Sequence, residues 1–131
     1  MPEERKKLGE AELEVMQALW RAGEALTAPR VLEALPNRSW AMGTLITVLQ
    51  RLVQKGFLAC EKRPRASIYA PLVGENDYLA EEGKSFLEHL YSNSFRSMLA
   101  SFYGGKVIGE SDIAELQRYP AELQEGGAKD A

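Results

Sequence analysis

The chain has one cysteine, Cys60, and one histidine, His89, among its 131 residues. A single thiol excludes an internal disulfide framework and any cysteine-rich metal cluster, and it makes a reducing, cytoplasmic setting the default expectation. No glycine-rich phosphate loop and no HExxH, GxSxG or CxxC motif occurs, so the common signatures of nucleotide, zinc-protease, hydrolase and redox chemistry are missing. Apolar runs fall well short of the ~18–20 residues of a membrane span, so no membrane insertion is expected. The run Met1-Pro2-Glu3-Glu4-Arg5-Lys6-Lys7 leads into an amphipathic segment rather than the apolar core of a signal peptide. No metal and no other cofactor is expected from this inventory. An enzyme is the least favoured class, because it would need a site built from acids alone.

What is present reads as an ordinary globular chain, 45% hydrophobic and 27% charged. Its length suits one domain, or a small domain with an appendage. The formal net charge of −3 hides an asymmetry. Residues 1–71 carry eleven Lys/Arg against eight Asp/Glu, whereas 72–131 carry five against eleven. Within 36–71 six basic residues (Arg38, Arg51, Lys55, Lys62, Arg63, Arg65) face a single acid, Glu61, a net of +5. A basic patch on an acidic chain can hold a polyanion through one face; the competing reading is a solvated surface that happens to be basic.

Periodicity predicts a first helix over about Gly9–Ala22, with Leu13, Val15, Met16, Leu19 and Trp20 recurring at three- and four-residue steps and Gly23 placed to stop it. A second helix starts at Thr27 as N-cap, carries Val31, Leu32 and Leu35 inward and ends at Pro36-Asn37. A third runs from Trp40 to Lys55, with Ser39 as N-cap and Gly56 as stop; its apolar stripe is Leu45, Val48, Leu49, Leu52 and Val53. Two short strands follow, Phe57–Glu61 and Ser67–Ala70, joined by Lys62-Arg63-Pro64-Arg65-Ala66. Three helices followed by a basic-tipped hairpin describe a winged helix-turn-helix. After a hinge over Pro71–Asn76, one long helix is predicted from Asp77 to Tyr103, interrupted by Gly83 and ended by Gly104-Gly105. Its stripe of Leu79, Phe86, Leu87, Leu90, Tyr91, Phe95, Met98, Leu99 and Phe102 cannot be hidden by one helix alone. A second copy of the chain is the economical partner, and His89 is expected on that dimer surface. A shorter helix begins at Ser111, with Ile113, Leu116 and Leu123 packing back, Pro120 breaking or kinking it, and 125–131 frayed.

An exposed helix after a tight helix-turn matches the major groove in width. Gly43 permits close approach of the backbone. Thr44 and Thr47 lie three apart on one face, each with a hydroxyl and a methyl to offer, and Ile46 adds an apolar contact for a thymine methyl. Met42 lines the same approach, and Arg51, further along, is placed for phosphate. On the wing, Lys62, Arg63 and Arg65 are candidates for phosphate or a narrow minor groove. The bland readings stand beside these: threonines bonded back to carbonyls one turn earlier, a glycine that only relieves crowding, a surplus isoleucine in a helix contact, and a solvated turn. Trp40 is expected to anchor the core, and Cys60 to be a small, half-buried hydrophobe.

The run Leu13-Glu14-Val15-Met16-Gln17-Ala18-Leu19-Trp20, then Gly23-Glu24-Ala25, Trp40-Ala41 through Thr44, Thr47-Val48-Leu49 and Arg51-Leu52-Val53-Gln54-Lys55-Gly56-Phe57-Leu58 resembles the penicillinase and methicillin-resistance repressor family, which includes copper-responsive repressors. The likeness is strong over residues 8–72 and looser beyond. It implies a homodimeric transcriptional repressor that binds inverted-repeat operators through its winged helix and dimerises through C-terminal helices. In the β-lactam branch a membrane sensor-protease system triggers cleavage in the dimerisation region, typically at Asn-Phe. The matching position is Ser101-Phe102, with the Phe kept and the Asn replaced. The copper branch carries a C-terminal cysteine motif, and no cysteine follows Cys60. Family members often have polar or basic residues where Gly43 and Ile46 stand, which implies a different operator. Pro120 sits where the last helix would continue.

The reading is a mainly α protein: a winged helix-turn-helix DNA-binding domain over 1–73, with its recognition helix at about 39–55 and its wing at about 62–66, followed by a helical dimerisation arm over 74–131. The expected partners are double-stranded operator DNA, a second copy of the chain and a sensor-protease system. The alternative is a winged helix that serves as a protein-interaction module; the net +5 over 36–71 argues for DNA.

Overall fold

Gly9 opens the first helix by donating its N–H to Glu12 Oε1 at 2.8 Å, and acids in the first turn complement the helix dipole. The computed structural model describes residues 7–36 and 39–130, and the side chains of these except at 121 and 125–130. Helix α1 (Glu10–Ala22) buries Val15, Met16, Ala18 and Leu19 and ends at Gly23, whose φ of 70° places it in the left-handed region. Strand β1 (Leu26–Thr27) and helix α2 (Ala28–Ala34) follow, with Thr27 at the N-cap and Pro29 in the first turn. Helix α3 (Met42–Lys55) buries Leu45, Val48, Leu49 and Leu52 and stops at Gly56, at φ 88°. The expected stop at Asn37, and Arg38, lie outside the described residues.

Strands β2 (Leu58–Lys62) and β3 (Ser67–Pro71) form the hairpin. Leu58 faces Pro71 and Cys60 faces Tyr69, and the tip closes with Arg63 N–H donating to Ala66 O at 2.8 Å. Strand β1 pairs antiparallel on the other edge of β3, so the sheet order is β1-β3-β2. The three helices and the sheet enclose one core, in which Phe57, Met16, Leu19, Leu35, Leu45, Leu49 and Leu52 are fully buried. This is a winged helix-turn-helix.

The chain divides into two compact units, Met1–Glu82 and Gly83–Ala131. Helix α4 (Glu75–Tyr91) starts in the first and ends in the second. Helices α5 (Phe95–Gly104) and α6 (Glu110–Asp130) complete the second. In that unit the rings of Phe86, Tyr91 and Phe102 cluster, with Tyr91 and Phe102 edge-on at 6.2 Å between centroids.

Several expectations are corrected. The single long helix over Asp77–Tyr103 is two helices. Ser92 and Asn93 adopt φ of 49° and 66°, and Ser94 caps α5 by accepting from Ser97 N–H at 3.0 Å. Asn tolerates the left-handed region and Ser is a preferred N-cap, so Ser92-Asn93-Ser94 ends one helix and starts the next; Gly83 interrupts neither. Helix α3 begins at Met42, because Trp40 and Ala41 stay outside it: Ala41, not Ser39, is its N-cap, extended at ψ 149°, and the Trp40 indole packs half-buried on the core. Cys60 is exposed, since β2 is an edge strand that buries only Leu58. Helix α6 passes through Pro120 and keeps helical backbone to Asp130: of the expected break or kink at Pro120 the break does not occur, and the tail expected to fray is helical to Asp130. Pro120 removes one backbone bond and crowds the Leu116 carbonyl, a cost of about 3 kcal/mol. Leu123 is 58% exposed rather than packed within the chain. Strand β1 was not expected: two residues are too few to show an alternation.

Candidate nucleic-acid interface

Leu45, Val48, Leu49 and Leu52 turn one side of α3 into the core. Helical geometry therefore sends the residues between them outward. Met42, Gly43, Thr44, Thr47, Gln50 and Arg51 are all exposed. Thr44, Thr47 and Arg51 follow at three- and four-residue steps and form one row along this face. A Cβ placed on Gly43 would meet no atom within 4 Å apart from the adjoining backbone of its own helix. Crowding inside the chain is therefore not the reason for glycine here.

Thr47 Oγ1 donates to Gly43 O at 3.1 Å. The bond back to the preceding turn is thus made, and it uses the hydroxyl proton. The oxygen keeps acceptor capacity toward solvent, and the methyl is free to meet an apolar group. Ile46 differs from its neighbours: it is half-buried against the core, so only part of its side chain reaches the outer face.

The α3 helix packs against β2, and the hairpin carries Lys62, Arg63 and Arg65, all exposed. Arg63 lies 3.4 Å from Glu61 Oε1 with both groups largely in solvent, a weak pair that a phosphate can displace. The basic residues of 36–71 are not equivalent. Lys55 is spent internally, 2.7 Å from Glu12 Oε1. Burial pushes the Glu12 carboxyl up, but hydrogen bonds from Lys55 and Gly9 N–H, with the charges of Lys55 and Arg51, more than offset it and hold it below the ordinary glutamate range. Arg51 is near enough to Glu12 to contribute, yet its side chain stays at the surface. Among the described residues of this stretch, the cationic surface is therefore Arg51, Lys62, Arg63 and Arg65. Cys60 faces Tyr69 across the hairpin, and burial, together with Cys60, pushes the Tyr69 hydroxyl up. No group of three or more His, Cys, Asp or Glu able to hold a metal occurs among the described residues, and none of their helices is long and apolar enough to cross a membrane.

Sequence reasoning missed two packing contacts of this unit. One is the Glu12–Lys55 tie between α1 and α3; Glu12 reads as one of several solvent-facing acids. The other is Tyr78, which sits at the edge of the expected hinge. It lies 5.9 Å, centroid to centroid, from both Trp20 and Phe57.

The apolar positions of the expected arm, residues 74–131, are open. No residue of α4 or α5 is buried among the described residues. Leu79, Phe86, Leu90 and Phe95 are exposed, Leu90 at 65%. Leu87, Tyr91, Met98, Leu99 and Phe102 are half-buried. Ser101 and Phe102 lie inside α5, and Tyr91 Oη donates to Ser101 Oγ at 3.2 Å. His89 is exposed on α4, its Nδ1 2.8 Å from Ser85 O.

Comparison with known proteins agrees with this architecture. The penicillinase repressor of Bacillus licheniformis is 32% identical over 110 residues, which is 84% of this chain and 86% of that protein. The transcriptional regulator BlaI of Mycobacterium tuberculosis is 34% identical over 122 residues, covering 92% and 87%. The solution structure of the DNA-binding domain of the repressor BlaI matches 58% of this chain and 93% of its own, with 34% identity and a TM-score of 0.50. The family described as penicillinase repressor matches residues 8–122, and this chain belongs to that family.

Proposed function

We propose that the protein is a homodimeric transcriptional repressor that binds an inverted-repeat DNA operator. The outer row of α3 lies in the major groove, and the wing grips the flanking backbone. One observation carries the DNA reading: α3 presents Gly43, Thr44, Thr47 and Arg51 on an exposed face, with open space where a Gly43 side chain would stand. That is the form of a helix meant to approach another surface closely. Its membership of a repressor family says what kind of surface. Thr44 and Thr47 meet base edges, whereas Arg51, Lys62, Arg63 and Arg65 neutralise phosphates.

Residues 74–131 serve as the dimerisation arm, and the exposed stripe of Leu79, Phe86, Leu90 and Phe95 supports this. Two subunits then present their recognition helices to successive major grooves, about 34 Å or a multiple apart. One subunit makes too few contacts for tight specific binding, so the strength of the dimer governs occupancy. Release follows from damage to the arm. Cleavage by a sensor-protease system at Ser101-Phe102 would strike α5 beneath the Phe86–Tyr91–Phe102 ring cluster. A protease takes extended backbone, so this bond requires local unwinding first. The place of action is the cytoplasm.

Two substitutions test the division of labour on duplexes selected by the wild-type protein. Thr47→Ala should reduce discrimination between selected and mismatched sites by roughly tenfold, at the scale of one lost base contact, and leave the salt dependence unchanged. Arg63→Ala should weaken all duplexes alike and lower the slope of log K against log salt by about one. A filter-binding series over salt reads both. Absence of any salt-dependent binding would return the protein to the interaction-module class.

A further inference from the structure

The proposed operator contact lies in the first unit and the proposed dimer stripe, Leu79 apart, in the second; α4 is one unbroken helix that starts in the first and ends in the second. Its first two turns belong to the winged-helix unit, where a single side chain gathers the contacts. The Tyr78 ring packs tilted on Trp20 and edge-on to the fully buried Phe57, each at 5.9 Å. Its hydroxyl accepts from Leu8 N–H at 3.4 Å. Burial, joined by the charges of Glu82 and Glu12, pushes that hydroxyl above its ordinary range, and the Leu8 N–H acts the other way. Trp20 is fixed in turn, because Nε1 donates to Val73 O at 2.9 Å just before α4 begins. One turn past Tyr78, Glu82 lies 3.9 Å from Lys7. Leu79, next to Tyr78, is exposed; beyond Glu82, Leu90 is exposed as well, and Tyr91 stands in the ring cluster with Phe86 and Phe102.

We propose that Tyr78 is a positioning residue for operator recognition: by seating the start of α4 on Trp20 and Phe57, it sets the distance between half-sites that a dimer accepts. The proposal rests on the dimeric, DNA-binding reading above. From Tyr78 to Tyr91 the helix extends about 20 Å at 1.5 Å per residue. A swing of about 10° at the seat carries the far end about 3–4 Å, close to the ~3.4 Å rise of one base pair. A loosened seat therefore spreads the accepted spacings without touching either the recognition helix or the arm's own contacts. A stiff connection concentrates the second binding event at one span, and a floppy one distributes it over several.

The test uses the full chain as wild type, Tyr78→Ala and Tyr78→Phe. The probes are duplexes with two copies, in inverted orientation, of a half-site isolated from a random pool on the wild-type protein. Their spacers vary in single base pairs, and a further duplex has one half-site. Sedimentation checks that each variant dimerises. Wild type should lose about tenfold in affinity for a spacer changed by one base pair, and Tyr78→Ala less than about threefold. The single half-site should be bound within about twofold by both. Tyr78→Phe keeps the rings and should keep the wild-type profile. If circular dichroism shows Tyr78→Ala to be unfolded, Tyr78→Leu takes its place with the same expectation. A folded variant with the wild-type spacer profile overturns the proposal. So does one whose single-half-site and two-half-site affinities fall together, since that marks a merely structural role. Wild type that binds no duplex overturns the DNA reading itself, a distinct failure.

Discussion

At the scale of the residue, Gly43 separates folding from function most cleanly. It occupies the first turn of α3, where a methyl would meet nothing apart from the adjoining backbone of its own helix. Helix propensity therefore favours alanine there by roughly 0.5–1 kcal/mol. Gly43→Ala should raise the denaturation midpoint and yet weaken DNA binding, since a backbone meant to lie against base edges is held off by the added group. Chemical denaturation and a binding isotherm on the same preparation check the pair of effects. A variant that is more stable and binds equally well would mean that α3 does not approach DNA at this position. Gly56 stands in contrast: its φ of 88° demands glycine for folding alone. Two glycines at the two ends of one helix thus have opposite reasons. The sequence shows both as glycine, and only the backbone angle and the surrounding space tell them apart.

At the scale of the element, the α1–α3 contact contains the chain's one buried charged side chain among the described residues, Glu12, 6% exposed. Lys55 and Gly9 N–H satisfy it at 2.7 and 2.8 Å. Its carboxyl is held below the ordinary range, so the stabilisation is complete above the unfolded pKa and is lost as pH falls through the lower folded value. Glu12→Gln should cost about 1–2 kcal/mol near neutral pH. It should also flatten the loss of stability as the pH falls through and below the ordinary glutamate range, the direction in which the lowered Glu12 carboxyl gains its proton. Urea unfolding of both proteins across that range reads the difference; parallel curves would show that this pair carries no pH dependence. The core helices and the hairpin were legible because their apolar residues recur at the periods of helix and strand, and glycines punctuate them. The break at Ser92-Asn93-Ser94 was not, because the apolar stripe continues across it and only local capping chemistry betrays it. Pro120 shows the reverse: an intrinsic helix breaker stands inside a helix that continues past it. Strand β1 and the contact of Tyr78 with Trp20 depend on partners more than forty residues away, which no local pattern reveals. Of the site, the exposed row of α3 and the wing were readable as types of surface. The internal use of Lys55 was not.

At the scale of the whole molecule, a winged-helix unit is joined to an arm that leaves its apolar side chains in the open. Val107 is 68% and Leu90 65% exposed, and the proposed pairing would take such side chains out of water. The boundary between the units falls after Glu82, so a cut meant to free an intact DNA-binding unit belongs there. A cut after Leu72 would strip Val73 and Tyr78 from Trp20 and Phe57. The central claim is that DNA recognition by the first unit is made tight by pairing through the second. Its most direct measurement compares binding isotherms of the full chain, and of Phe86→Ala/Leu90→Ala, on duplexes with one and with two selected half-sites. The expected result is wild-type preference for two half-sites by about a hundredfold or more, lost in the double variant, with single-half-site affinity unchanged. Equal wild-type affinity for the two duplexes, or a double variant that keeps the full preference, would contradict it.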